Sequence, residues 1–178
     1  MDRKIASLGR RFDAYLIDWY VGGLAAALPV SLISMRLFNT VKNQNILSFP
    51  HPYGLWAGMA GTAAAIAYFV LIPAFVWRGQ TSGKRICKIK MVSADGGEVP
   101  FTKLILRQIL GIMVVEGGLV TASALWHQTA TIAFGMDLVK PLMYLGLAVS
   151  ILSAILTLPG DHRAIHDRIG NTLVVFDE

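Results

Sequence analysis

A chain of 178 residues with 54% hydrophobic and only 15% charged residues is excluded from the ordinary soluble globular class, and its composition is that of a membrane protein. The formal net charge of +5 does not point to nucleic acid, because the lysines and arginines are spread by loop and not gathered on one binding element. The lone cysteine, Cys87, cannot form an intramolecular disulfide, so no redox compartment can be read from it.

The N-terminal segment "MDRKIASLGRR" is basic and leads into an apolar run that continues to Met35. Asp18 breaks the h-region of any secretory signal, so this run is expected to remain as a first membrane helix near residues 14–35. Further apolar stretches lie near 55–76, 104–126 and 138–158. At about 1.5 Å per residue each is long enough to cross a hydrocarbon core of about 30 Å. The second stretch carries no charge and sets Ala57, Gly61 and Ala65 at four-residue spacing, a small stripe that favours close packing within the chain over a dimer seam. Arg107, Gln108 and Glu116 interrupt the third, which could be re-entrant; Trp126 closes it as an interfacial anchor, and a full crossing is favoured. Pro29 and Pro73 are candidate kinks.

Between the second and third stretches, residues 77–103 form a basic loop. Within it Cys87, Ile89 and Met91 alternate with Lys88 and Lys90 ahead of the turn sequence "ADGGE", which predicts a short strand. "NTLVVFDE" at the end of the 159–178 tail is also strand-like, and the two are expected to pair. "PGDHRAIHDRIG" ahead of it predicts an amphipathic helix of about two turns on the membrane surface, capped by Asp161, with Ile165 and Ile169 on one face and Gly170 as its stop. "GQTSGKR" is too short between its glycines for a phosphate loop, and Arg85 stands where a magnesium-binding hydroxyl would be needed; it reads as a tight basic turn.

Counting Lys and Arg outside the apolar stretches places both termini and the 77–103 loop on the cytoplasmic side of the inner membrane. The expected fold is an all-α polytopic membrane protein in one domain over 1–178, with four transmembrane helices, a small cytoplasmic β element and a short C-terminal amphipathic helix.

Several charges fall within or beside the apolar stretches. An aspartate at the centre of a membrane helix costs about 2.5–3.5 kcal/mol on insertion scales, so Asp18 needs a partner. Arg11, seven residues earlier, lies about 20° away around the helix but roughly 10 Å along it, so a third polar group or water would bridge them more easily than direct contact. Arg107 enters from the same side and is a second candidate partner. The balance between a helix-locking ion pair and a proton or cation site is near even for Asp18. Glu116, expected near the midplane beside Gly117 and Gly118, reads either as a neutral hydrogen-bonded acid or as an exchange site. His162 and His166 have a spacing that permits a shared metal, yet "HRAIHD" equally makes a plain surface helix with an Arg163 to Asp167 pair, and no metal or other cofactor is expected.

"RRFDAYLIDWY", "GQTSGKRICKIKMVSADGG" and "HRAIHDRIGNTLVV", in this order relative to the apolar stretches, resemble the RDD family of membrane proteins over nearly the whole chain. The family is named for an arginine and two aspartates. Arg11 and Asp18 match the first two, Asp167 best matches the second aspartate, and Asp161 is the weaker match. The resemblance implies transport of a small ligand or ion, with cation/proton exchange its most concrete form; a homo-oligomer is the expected working unit, since four helices leave little room for a path inside one subunit. The alternative is a non-transporting scaffold that docks another protein through its basic cytoplasmic face. No enzyme activity is expected, and the expected partners are the lipid bilayer, a small cation or proton, and further copies of the chain, without nucleic acid.

Overall fold

The computed structural model describes residues 4–117 and 121–177. Its first element, α1 (Leu8–Phe38), buries Ala14, Asp18, Gly22, Ala26, Val30 and Ser34, about one residue per turn and, Val30 apart, all small or polar. On the opposite face Leu24, Leu28 and Leu32 stay 56%, 61% and 64% exposed. In water that arrangement would be inside out. With lipid tails as the solvent, large apolar side chains gain nothing by leaving it, and small residues let backbones approach.

The helix α2 runs from Tyr53 to Val76, as α-helix over Tyr53–Ile66 and then in wider π winding over Ala67–Val76. Pro73 has no N–H to donate, and the Trp77 N–H closes onto Ile72 O five residues back. The small stripe packs inside the chain. A Cβ on Gly61 would stand 2.8 Å from both Ala26 O of α1 and a Leu125 methyl.

After α2 the chain forms α3 (Ser82–Ile86) and β1 (Ile89–Ser93). The helix α4 begins over Phe101–Ile105 and continues in π winding over Leu106–Val115. The π winding ends in a bend at Glu116, and the next long helix among the described residues is α5 (Thr121–Phe134). The stretch expected as one span over 104–126 is therefore two helical pieces. Trp126 sits inside α5 and does not end it. Gln128 of α5 accepts the Ile46 N–H (3.0 Å) in the loop between α1 and α2, so α5 reaches the end of the bundle opposite β1. The return helix is α6 (Val139–Leu156), followed by α7 (Ile165–Ile169) and β2 (Thr172–Phe176). Among the described residues α1, α2 and α6 are each long and apolar enough to cross a membrane, and the protein is an integral membrane protein.

The two expected strands pair antiparallel, Ile89 opposite Phe176 and Ser93 opposite Thr172. Met91, Val174 and Val175 from this sheet are buried. The N-terminal segment adds to its edge through the Ala6 N–H, which donates to Val174 O at 2.9 Å. The sheet, α3 and α7 together close one end of the bundle.

The helix α7 is not the surface helix its isoleucines predict. Ala164, Asp167 and Gly170 are buried, while Ile165 and Ile169 are only half-buried. It packs so closely on α4 that a Cβ on Gly111 would stand 2.8 Å from His166 Cα, and one on Gly170 would stand 2.7 Å from Arg107 Cβ. Asp161 does not cap it; its side chain accepts the Arg163 N–H (3.2 Å) in the preceding turn, and the Asp167 carboxylate takes the Ala164 N–H at the start of the helix.

Candidate functional site

Three buried carboxylates organise the end of the bundle that carries the sheet. Asp18, on the inward stripe of α1, is held by the loop that follows α2. Its Oδ1 accepts from Tyr68 Oη (2.6 Å) and the Gly83 N–H (2.8 Å), and its Oδ2 from Thr81 Oγ1 and, at 3.3 Å, from Lys84 Nζ. Burial pushes the Lys84 ammonium down from the ordinary lysine range, and Asp18 opposes that shift. Gly83 is required by closeness, since a Cβ there would stand 2.9 Å from the Asp18 carboxyl. Neither Arg11 nor Arg107, the expected partners, bonds to Asp18.

Both arginines turn instead to Asp167. Arg107 donates from Nε (3.0 Å) and Nη2 (2.9 Å) to Asp167 Oδ1, and Arg11 donates from Nη2 to Oδ2 and from Nη1 to His162 O. Asp167 is fully buried and Arg107 nearly so. Burial alone would raise the Asp167 pKa; the Arg107 guanidinium, followed by His166 and Arg11, outweighs it and holds the carboxyl well below the usual carboxylate range. The expected Arg163 to Asp167 side-chain pair does not form, because Arg163 reaches Asp167 O and Asn171.

The third carboxylate, Glu116, lies at the break after α4. Its Oε1 accepts from Ser153 Oγ (2.6 Å) and the His166 N–H (2.8 Å), and its Oε2 lies 2.8 Å from His166 Nδ1. Ser153 is within one turn of the end of α6, so Glu116 is level with that helix end and not at the expected midplane. Gly118 lies outside the described residues. His162 and His166 do not converge: the His162 ring bonds Thr157 O, the His166 ring Glu116.

These groups surround one cavity of about 420 Å³, with Arg11, Asp18, Lys84, Arg107, Glu116 and His166 in its wall. Asp167 lies behind the arginines. Of the sequence-singled charges, Arg11, Arg107 and Asp167 form one cluster, Asp18 anchors another, and Glu116 a third, all around the same space.

Sequence reasoning missed Thr81, Gly83 and Lys84 as ligands of Asp18, Tyr68 as their companion, and Ser153 as a ligand of Glu116. The usable signal was "TSGK", a donor-rich turn directly after a charge-free helix, in a chain whose first helix carries a carboxylate needing donors.

The RDD family profile matches residues 5–171, which takes in every element from the edge segment to the turn before β2. The chain belongs to the RDD family. A curated relative, "Uncharacterized protein YckC" of Bacillus subtilis (strain 168), is 32% identical over 173 residues, covering 97% of this chain and 85% of that protein. No solved structure matches. In this RDD protein the arginine Arg11 and the aspartate Asp167 are one ion pair at the tail, whereas Asp18 is bound by the loop after α2. The residues that match the family name thus tie the first helix to two segments distant in sequence.

Proposed function

We propose that the protein exchanges a small cation for protons across the inner membrane, with both termini and the sheet on the cytoplasmic side. The side assignment rests on Arg10, Arg11, Arg78, Lys84, Arg85, Lys88, Lys90 and Lys103, which cluster at the sheet end, against Arg36, Lys42 and Lys140 at the other.

One observation carries the exchange reading. Asp18 and Asp167 have Lys84, Arg11 and Arg107 against them, while among the described residues Glu116, in the wall of the same cavity, meets Ser153 and His166 and no lysine or arginine. A proton or a cation in the cavity can each balance a carboxylate so placed. Their mutual exclusion at one carboxylate is the elementary requirement of exchange. A homo-oligomer is the proposed working unit, because few helices are available to enclose a path within one subunit.

The test is flux in liposomes holding purified protein under a pH gradient, with sodium, potassium or lithium outside. Wild type is expected to dissipate the gradient in a cation-dependent way, and Glu116→Gln to abolish that flux while remaining folded. Wild-type flux no greater than that of empty liposomes rejects exchange and leaves the scaffold reading.

A further inference from the structure

The cations at the sheet end fall into two groups. Arg11, Arg78, Lys84, Lys90, Lys103 and Arg107 each meet a carboxylate, whereas Lys4, Arg10, Arg85 and Lys88 are in no ion pair among the described residues. The second group is gathered around the turn from α3 into β1 and the end of β2. Lys4 Nζ and the Arg10 guanidinium stand over the same Phe176 ring, 5.7 and 5.5 Å from its centre. Arg10 Nη1 also donates to Cys87 O at 2.9 Å. The next residue, Lys88, donates its N–H to Arg85 O (3.1 Å) and accepts the Asp177 N–H (2.9 Å) beside Phe176. Arg85 in turn lies over the Trp77 ring at 4.9 Å. Aromatic faces hold these cations in position without neutralising them. Of the nearby carboxylates, Asp177 is taken by Lys90, and Asp13, one turn beyond Arg10 on α1, forms no ion pair. Four cations against Asp13 alone leave a surplus of three positive charges on one surface.

The apolar side chains around this group set its depth. Ile86, next to Arg85, is 67% exposed, and Val76, at the end of α2 and next to Trp77, is 62% exposed. Exposed apolar side chains at a membrane-helix end belong in the bilayer, and indole rings gather at its boundary. Arg10 stands in the first turn of α1, at the same end. Long basic side chains at helix ends reach the level of the headgroups. A soluble acidic partner would satisfy the cations and leave Ile86 and Val76 unexplained, whereas a lipid brings a phosphate and acyl chains to both at once. Lys88 adds a backbone observation. Its φ of +53° lies in the left-handed region, which glycine adopts more readily, and its side chain is exposed. What lysine supplies at this position is therefore its charge.

We propose that Lys4, Arg10, Arg85 and Lys88 form a binding surface for the phosphate of an anionic phospholipid headgroup, with Ile86 and Val76 against its chains. The leaflet is the one at the sheet end, cytoplasmic in the orientation proposed above. Binding here does not require exchange in the cavity.

Purified full-length protein in nonionic detergent is equilibrated with equal amounts of dioleoyl phosphatidylglycerol and dioleoyl phosphatidylcholine. Gel filtration then separates it from lipid-only micelles, and the retained lipids are counted by mass spectrometry. Wild type is expected to retain phosphatidylglycerol over phosphatidylcholine by at least about tenfold, since one lysine or arginine near an anionic surface contributes about fivefold. The combined Arg10→Gln, Arg85→Gln and Lys88→Gln variant is expected to bring the ratio near unity. Lys88→Gly, which removes a charge while giving the backbone the residue it favours, is expected to lower the ratio about fivefold with an unchanged elution profile, and decides the matter if the combined variant does not fold. Arg36→Gln with Lys42→Gln, at the other end, is expected to leave the ratio unchanged. Equal retention of the two lipids by wild type overturns the proposal and leaves this surface to an acidic protein. An undiminished ratio in Lys88→Gly, or an equal loss in the Arg36 and Lys42 variant, also overturns it, the latter as general attraction to a basic protein. Displacement of the phosphatidylglycerol by equimolar glycerol 3-phosphate overturns it in favour of soluble phosphate.

Discussion

Replacing Asp167 with Asn keeps the shape of the most buried carboxylate and removes only its charge, leaving the nearly inaccessible Arg107 and the largely buried Arg11 without an anion. Breaking a buried ion pair by removing one partner typically costs about 3–5 kcal/mol, because the surviving charge is stranded away from water. Two guanidiniums are stranded here. The Asn amide can still accept from one of them, which keeps the expectation within that interval and not beyond it, at about 3–5 kcal/mol. Equilibrium unfolding of wild type and variant in the same detergent micelles measures the difference. The pH dependence adds a sign. The folded-state pKa of Asp167 is depressed, so its contribution is fully present above the unfolded carboxyl value of about 3.9 and is lost as pH falls toward the much lower folded value. Wild type and Asp167→Asn should therefore differ by a constant amount from neutrality down to about pH 5, and converge only in stronger acid. A difference below about 1 kcal/mol at neutral pH, or one that grows on acidification, would refute the assignment of Asp167 as the anion of this cluster.

Asp18→Asn and Lys84→Gln are expected to be non-additive by about 0.5–3 kcal/mol in the same assay, whereas Asp18→Asn and Arg11→Ala should combine nearly additively; the reverse pattern would restore Arg11 as the partner of Asp18. Gly83→Ala puts a methyl group against the Asp18 carboxyl and the Ala14 carbonyl, with an expected loss of about 1–3 kcal/mol, and a neutral result would mean that the loop does not close on α1 as described. In intact cells a cysteine at Met136, in the exposed turn between α5 and α6, should react with an impermeant maleimide, and native Cys87 only after permeabilisation. Partial burial pushes the Cys87 thiol up, so labelling is run at mildly alkaline pH; external reaction of Cys87 would invert the proposed orientation.

The residue order alone determines the solvent of this protein. Long apolar runs, a charge-free second helix with a small stripe, and basic residues confined to particular loops require a bilayer, because no folded arrangement in water could cover that much apolar surface. It also marks Ile89–Ser93 and Thr172–Phe176 as strands, since alternation and turn chemistry are local properties, and both fall in segments expected on the same side of the membrane. It singles out Asp18, Arg107 and Glu116, because polar groups in an apolar run are costly wherever the run goes, and Arg11 and Asp167 through the motifs that resemble the RDD family. Which of them meet is a different kind of information. Helical periodicity fixes the direction of Asp18 on α1 but says nothing of which loop lies opposite, and the donors come from Tyr68, Thr81, Gly83 and Lys84, between 50 and 66 positions away. In α7 the apolar period points to the isoleucines, yet Asp167 is the residue that is buried, since an arginine from α4 and another from α1 provide charges that outweigh the desolvation of one carboxylate. The break at Glu116 likewise needs Ser153 and His166 in place to hold the carboxylate that interrupts the helix. Composition sets the medium, but the pairing of charges depends on segments distant in sequence being brought within hydrogen-bond reach, and only the tertiary structure decides that.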